Sequence, residues 1–207
     1  SILLGLSMGS GTVFSLQYGA GDLSALRRSI YVSLLLIGTV TILLNVAVFL
    51  WLDPILRWLQ VPYDIYPLMR NYLWIIFWGI VFTFLYNFYA ALLRAVGDSV
   101  TPLWFLAVSV VLNIGLDLFL ILVLDQGIEG AAVATVIAQG TAASGILLYT
   151  YKIRPELRLH REDMRFDRSS LREITSFSTL TCVQQSVMNF GILMVQGLVN
   201  SFGTVVM

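Results

Sequence analysis

Asp117 is the residue in this sequence whose position most calls for chemistry. It interrupts an otherwise uncharged run from 103 to 124, with fourteen uncharged residues before it and seven after. The other eleven acids fall in hydrophilic connections or at the ends of apolar runs. An ionisable group at membrane depth costs about 2.5–3.5 kcal/mol even on a lenient insertion scale, and such groups face a bundle interior or a wet cavity. Asn113 lies four residues earlier, on the same face of a helix. A carboxyl and an amide so placed can share a proton or bind a small cation. The plainer alternative is a buried polar pair that only holds helices together. Thr135, in the next apolar run, falls close to a face of small residues, where a hydroxyl bonded back to its own helix is the simplest account. Further along, Gln185, Asn189, Gln196 and Asn200 recur at intervals of 4, 7 and 4. They would line a water-filled path, or equally hydrogen-bond one helix to another.

Positioning these groups requires membrane helices. Hydrophobic residues make up 58% of the 207 and charged residues 12%, with a mean hydropathy of +0.85. A soluble domain carries about 25% charged residues, so this chain has half the usual supply. The charges are also clustered. Uncharged runs cover 1–21, 30–52, 71–93, 130–151 and 174–207, and 103–124 is broken only by Asp117. A helix needs about 20 apolar residues to cross a bilayer core, and backbone groups at that depth must pair within the span. Six such helices are expected. Stretches such as Ile42–Leu52 lack the in–out alternation of barrel strands.

Basic residues set the orientation. Arg27 and Arg28, Arg94, and a group comprising Lys152, Arg154, Arg158, Arg161, Arg165, Arg168 and Arg172 put ten on one side, against Arg57 and Arg70 on the other. By the positive-inside rule the ten face the cytoplasm, placing Asp117 in the outer half of an inside-to-outside helix. Thr101-Pro102 reads as the N-cap opening the fourth span, and Ser170 to Glu173 as a capping box opening the sixth. Trp51, Trp58, Tyr63 and Tyr66 suit the outer interface. The stretch 152–172 is the one domain boundary, expected as a solvated linker or a short interfacial helix whose basic charge suits anionic lipid.

Several other functions are excluded by chemistry. Zero net charge leaves no footprint for nucleic acid. His160 has no second ligand nearby, so no metal is expected, and the lone Cys182 reads as a small packing residue. Gly5 and Gly9 form a GxxxG pair that suits a helix contact. Gly19-Ala20-Gly21-Asp22 imitates the GxGD of intramembrane aspartyl proteases, with Tyr63-Asp64 as the second half. Proteolysis needs two adjacent carboxylates, whereas these two fall on opposite sides of the bilayer. No enzymatic role is expected.

Leu93 to Pro102, then Asn113 to Asp117, then Gly127 to Thr135, together with the Gly19–Asp22 turn, resemble the signature of multidrug and toxic compound extrusion (MATE) transporters. The resemblance covers essentially the whole chain. It implies an all-α polytopic bundle with no cofactor: residues 1–151 as helices two to six of the N-terminal six-helix lobe, 152–172 as the cytoplasmic interlobe linker, and 173–207 as the start of the second lobe. It implies a multi-pass protein of the plasma membrane, bacterial inner membrane by expectation, exporting cationic and amphipathic small molecules by alternating access against H⁺ or Na⁺. Asp117 and Asn113 then belong to the coupling site, with Tyr72 and Thr135 as companions, and Gln185, Asn189 and Gln196 line the substrate cavity. The partners implied are the substrates, membrane lipid and the rest of the same polypeptide, since both ends fall inside apolar runs as in a piece of a longer protein. Two rivals are a lipid-linked oligosaccharide or peptidoglycan-precursor flippase, disfavoured because no Arg or Lys falls inside a span, and a non-transporting membrane scaffold or receptor, which would have no use for Asp117.

Overall fold

The computed structural model describes residues 2–58, 65–160, 162–163 and 166–201, with the side chains of 55 and 198–201 left out. The described residues contain six long helices and no strand: α1 (Ile2–Gly19), α2 (Leu23–Trp58), α3 (Tyr66–Ala95), α4 (Val100–Leu118), α5 (Gly127–Ile153) and α6 (Arg168–Ser201). A π-helical turn, Phe119–Val123, extends α4, and a 3-10 turn, Pro155–Leu157, follows α5. By length and composition α2, α3, α4 with its π turn, and α5 can cross a membrane. The six apolar runs all fold as helices. However, α1 is short and rich in Gly and Ser, and α6 carries Thr, Ser, Gln and Asn along much of its length, so neither stands out as the other four do.

Two groups of helices share the bundle. Phe14 of α1, Leu26, Ile30 and Ile37 of α2, and Phe84, Phe88 and Leu92 of α3 form the main buried cluster. On its far side α3 packs along α5, and α5 along α4. Small residues make the second set of contacts close: a Cβ on Gly145 would come within 2.6 Å of the Phe105 ring, and one on Gly79 within 3.1 Å of Val136. The expected small-residue face of α5 is realised at Gly130, Ala134 and Ala138, which are buried, whereas Gly127 has open space around it.

The GxxxG pair finds its partner in α6. A Cβ at Gly5 would lie 2.6 Å from Cys182 Sγ, and one at Gly9 only 2.4 Å from Ser178 Cα. Cys182 is therefore a packing residue, and its thiol reaches the Ile2 carbonyl at 3.5 Å.

The helix ends correct two expectations. Thr101 is not the N-cap of α4; the helix begins at Val100, and Asp98 accepts from the Thr101 amide (3.0 Å) and hydroxyl (2.8 Å). Ser170 likewise does not open α6. Asp167 accepts from the Ser169 amide (3.1 Å), the Ser170 amide (3.3 Å) and the Ser170 hydroxyl (2.8 Å). In both cases a carboxylate carrying full charge outcompetes a nearby hydroxyl as acceptor for the exposed N–H groups. The Gly19–Asp22 stretch is a turn with Gly21 at φ +75°, and Asp22 caps α2 through the Ala25 amide at 2.9 Å. Its supposed protease partner, Tyr63-Asp64, lies outside the described residues.

The alternation deduced from charge is visible in the contacts. At one end Arg27 Nε donates to the Glu156 carbonyl (2.9 Å), and Arg154 pairs with Asp98 (3.6 Å) and Glu156 (3.5 Å). At the other end Arg70 pairs with Asp53 (3.0 Å), which also accepts from the Tyr66 hydroxyl (2.9 Å). In the described part of 152–172, Leu157 is buried in the main cluster and Leu159 packs against it, while Lys152, Ile153, His160 and Phe166 are exposed. Arg161 and Arg165 of that stretch lie outside the described residues.

Candidate functional site

The last turns of α4 and the first turns of α5 bring Asn113 and Thr135 together. Asn113 Nδ2 donates to Thr135 Oγ1 at 3.3 Å, and the Thr135 hydroxyl donates to the Ala131 carbonyl at 2.9 Å. Thr135 is therefore both bonded back to its own helix and part of the site. Committing its proton to Ala131 leaves the oxygen lone pairs free to accept from Asn113.

Asp117 stands one helical turn outward from Asn113. Its Oδ1 is buried and has no hydrogen-bond partner among the described residues. An unsatisfied buried acceptor costs about 1–3 kcal/mol, more when charged, so it persists where something else satisfies it. Two residues later the chain leaves α-helical geometry for the π turn Phe119–Val123, and Asp125 adopts φ +52°. Single π turns inside α-helices recur at functional sites. Composition gave no sign of this one, since Phe-Leu-Ile-Leu-Val is ordinary span sequence.

Tyr72 is half-buried near the start of α3 and makes no hydrogen bond to Asp117, Asn113 or Thr135. Its neighbour Asn71 donates instead to Glu129 Oε1 at 2.9 Å, tying the outer ends of α3 and α5 together. Neither Asn71 nor Glu129 stood out in the sequence, although Glu129 at a span end was a visible signal.

The polar residues of α6 do not gather into one lining. Gln185 Nε2 reaches Met8 Sδ at 3.5 Å, across the seam with α1, which is the helix-to-helix alternative. Asn189 is exposed on the same helix. Gln196 borders an apolar groove of about 520 Å³ with Met188 and Val195. The side chain of Asn200 lies outside those described.

Away from the span, Asp98 gathers the end of the bundle that holds Thr101, Tyr149 and Arg154. Burial pushes its carboxyl up, but the Thr101 hydrogen bonds and the Arg154 guanidinium outweigh that and hold it below the usual carboxylate range.

A bundle of membrane-length helices, with a half-buried carboxylate whose Oδ1 has no partner among the described residues one turn from an amide–hydroxyl pair, defines an α-helical integral membrane protein with a polar site within a span. The MatE family model matches residues 1–119, and the chain belongs to that family. It is 35% identical over 203 residues to the probable multidrug resistance protein YpnP of Bacillus subtilis (strain 168), covering 98% of this chain and 45% of that protein. It is 28% identical over 205 residues to the probable multidrug resistance protein NorM of Thermotoga maritima, covering 93% and 42%. The chain thus spans less than half the length of these relatives. Among solved structures, the crystal structure of MATE in the bent conformation superposes with a TM-score of 0.85 at 21% identity, over 93% of this chain and 43% of that one. The outward-facing conformation of a multidrug resistance MATE family transporter gives 0.84 at 21% identity, over 93% and 43%. These likenesses establish the fold.

Proposed function

We propose that this chain forms the larger part of one lobe of a cation-coupled multidrug efflux antiporter. It would export cationic and amphipathic small molecules by alternating access, driven by inward H⁺ or Na⁺. The observation that carries this reading is the orphaned Asp117 Oδ1, one turn from the Asn113–Thr135 pair inside a span. Asp117 takes up the ion from outside, with Asn113 and Thr135 presenting neutral oxygens beside it; a part for Tyr72 rests on the family resemblance alone. Neutralising the carboxylate weakens the hold on a cationic substrate and favours its release outward. Reciprocity then requires ion and substrate to oppose each other's binding by the same factor. The names of the curated relatives, which are multidrug resistance and multidrug export proteins, support the substrate class.

The test is efflux of a cationic dye from a pump-deficient host expressing the full-length protein. Asp117→Asn keeps the shape and removes the charge, and should abolish ion-driven efflux. Efflux equal to wild type would sink the coupling role and favour a transporter or scaffold that uses Asp117 only as helix glue.

A further inference from the structure

One helical turn deeper than Asn113 and Thr135, a second polar cleft lies between α3, α4 and α5. It measures about 240 Å³ and is lined by Thr83, Tyr86, Asn87, Ser109 and Gln139, with Leu106 and Ala142. Ser109 sits eight residues before Asp117, which at 1.5 Å per residue places it about 12 Å further in. Gln139 follows Thr135 by one turn of α5. The cleft is therefore in line with the coupling site, on the same helix faces.

Its polar groups are not used up by the fold. Ser109 is 9% exposed and lines the cleft, and its hydroxyl makes no hydrogen bond to a described residue. Ser7, Ser10, Ser29 and Ser33 are buried deeper and share that lack, but none of them borders this cleft. The Thr83 hydroxyl lies 2.8 Å from Gln139 Oε1 and 3.1 Å from the Gly79 carbonyl. It has one proton, and the Gly79 carbonyl already accepts the Thr83 amide within α3, so Gln139 Oε1 is the acceptor left open whenever the hydroxyl turns back to its own helix. Gly79 is what allows the approach: a Cβ there would sit 3.2 Å from Gln139 Oε1. Asn87 and Tyr86 close the inner end, donating to the Thr83 carbonyl (2.7 Å) and the Pro102 carbonyl (2.9 Å). Beyond them Tyr149 donates to Asp98 at 3.4 Å, at the cytoplasmic end.

The lining has hydroxyls and amides but no carboxylate and no base. Such a site cannot exchange a proton of its own, and its neutral oxygens do not offset the full dehydration of an ion. It suits a small monovalent cation that keeps part of its water, and water takes about 30 Å³ per molecule in the liquid, so the cleft has room for several. We propose that Thr83, Ser109 and Gln139 form a second, carboxylate-free station that receives the coupling cation, Na⁺ or a hydrated proton, between Asp117 and the cytoplasmic end. The proposal rests on the coupling role of Asp117 given above.

The test uses the full-length protein, with equilibrium ion binding measured in detergent and ion flux in proteoliposomes under a substrate gradient. Sodium-22 reports Na⁺ in both measurements, and a pH dye reports protons, so the two arms separate the ions. Ser109→Ala combined with Gln139→Leu should leave equilibrium binding at Asp117 intact while flux falls about tenfold, the scale of one hydrogen bond to a charged group. Wild-type flux from this variant overturns the station. A loss of thermal stability with unchanged ion dependence also overturns it, because that is what helix glue alone predicts. Should the double variant fail to fold, Gln139→Glu decides: a carboxylate of the same length should tighten ion binding about tenfold and slow turnover, and unchanged ion affinity refutes the proposal. Asp117→Asn run alongside keeps the two ideas apart. If it binds the ion like wild type, the coupling reading fails; if it loses binding while the station variants keep wild-type flux, only the station fails.

Discussion

Adding one methyl group to Gly9 should be among the most damaging small changes available in this chain. The methyl would lie 2.4 Å from Ser178 Cα and 2.6 Å from Ser178 N, against about 3.4 Å for ordinary contact. The obstacle is backbone on both sides, so no side chain can swing away, and α1 and α6 must separate by about an ångström. Overpacking of this kind costs about 1–3 kcal/mol, more than the roughly 1 kcal/mol by which Ala surpasses Gly within a helix. The structure also fixes a ranking. Gly5→Ala meets Cys182 Sγ at 2.6 Å and Cα at 2.8 Å, a slightly smaller conflict, and Gly11→Ala meets only the Ala91 side chain at 3.3 Å. Gly19→Ala, with nothing within 4 Å, should be neutral or mildly stabilising. The assay is thermal unfolding of the four purified full-length variants in one detergent, followed by intrinsic fluorescence. The expected order of stability is Gly19→Ala, Gly11→Ala, Gly5→Ala, Gly9→Ala, from highest to lowest. A Gly9→Ala protein as stable as Gly19→Ala would refute the close α1–α6 seam.

Two further outcomes test the end of the bundle around Asp98 and Leu157. Asp98→Asn should destabilise by under about 1 kcal/mol, because asparagine caps about as well as aspartate and what is lost is the charge facing the partly exposed Arg154. Because the folded carboxyl lies below its ordinary 3.8, its contribution is present above that pH and fades as pH falls through the lower folded value; the gap between wild type and Asp98→Asn in acid titration should therefore close only below about pH 4. Leu157→Ala should cost about 2–5 kcal/mol in chemical denaturation, as for a buried leucine, whereas a solvated linker residue would cost under about 0.5.

The helices were legible because clustered charge leaves a coarse signal: each acid or base kept out of a run marks where water begins. Cap identity was not legible for the same physical reason in two places. Asp98 and Thr101, like Asp167 and Ser170, are both good caps three residues apart, and only the folded geometry decides which accepts and which donates. Asp117 was visible as a charge out of place, and Asn113 by its i−4 spacing. Thr135 was different. Its 22-residue separation from Asn113 carries no periodic signal, and the family resemblance rather than spacing pointed to it. For the α6 amides, amphipathic spacing cannot distinguish a wet lining from a partner helix, and the structure gives Gln185 a contact of the second kind, with Met8.

The uncharged polar residues show the limit most clearly. Thr83, Ser109 and Gln139 each look unremarkable in an apolar run, since a single hydroxyl or amide in a span has an inexpensive resting state on its own helix or a neighbour. A charge has no such resting state, which is why Asp117 announces itself. What distinguishes Ser109 from Ser7, Ser10, Ser29 and Ser33, which are buried deeper and also without a partner among the described residues, is its place: it borders a cleft of other polar groups in line with Asn113 and Asp117. Asp117 Oδ1, two helical turns outward, is buried and without a partner among the described residues. Ser109 and Asp117 thus stand about 12 Å apart along one helix with the Asn113–Thr135 pair between them, the path a cation would follow under the proposal above.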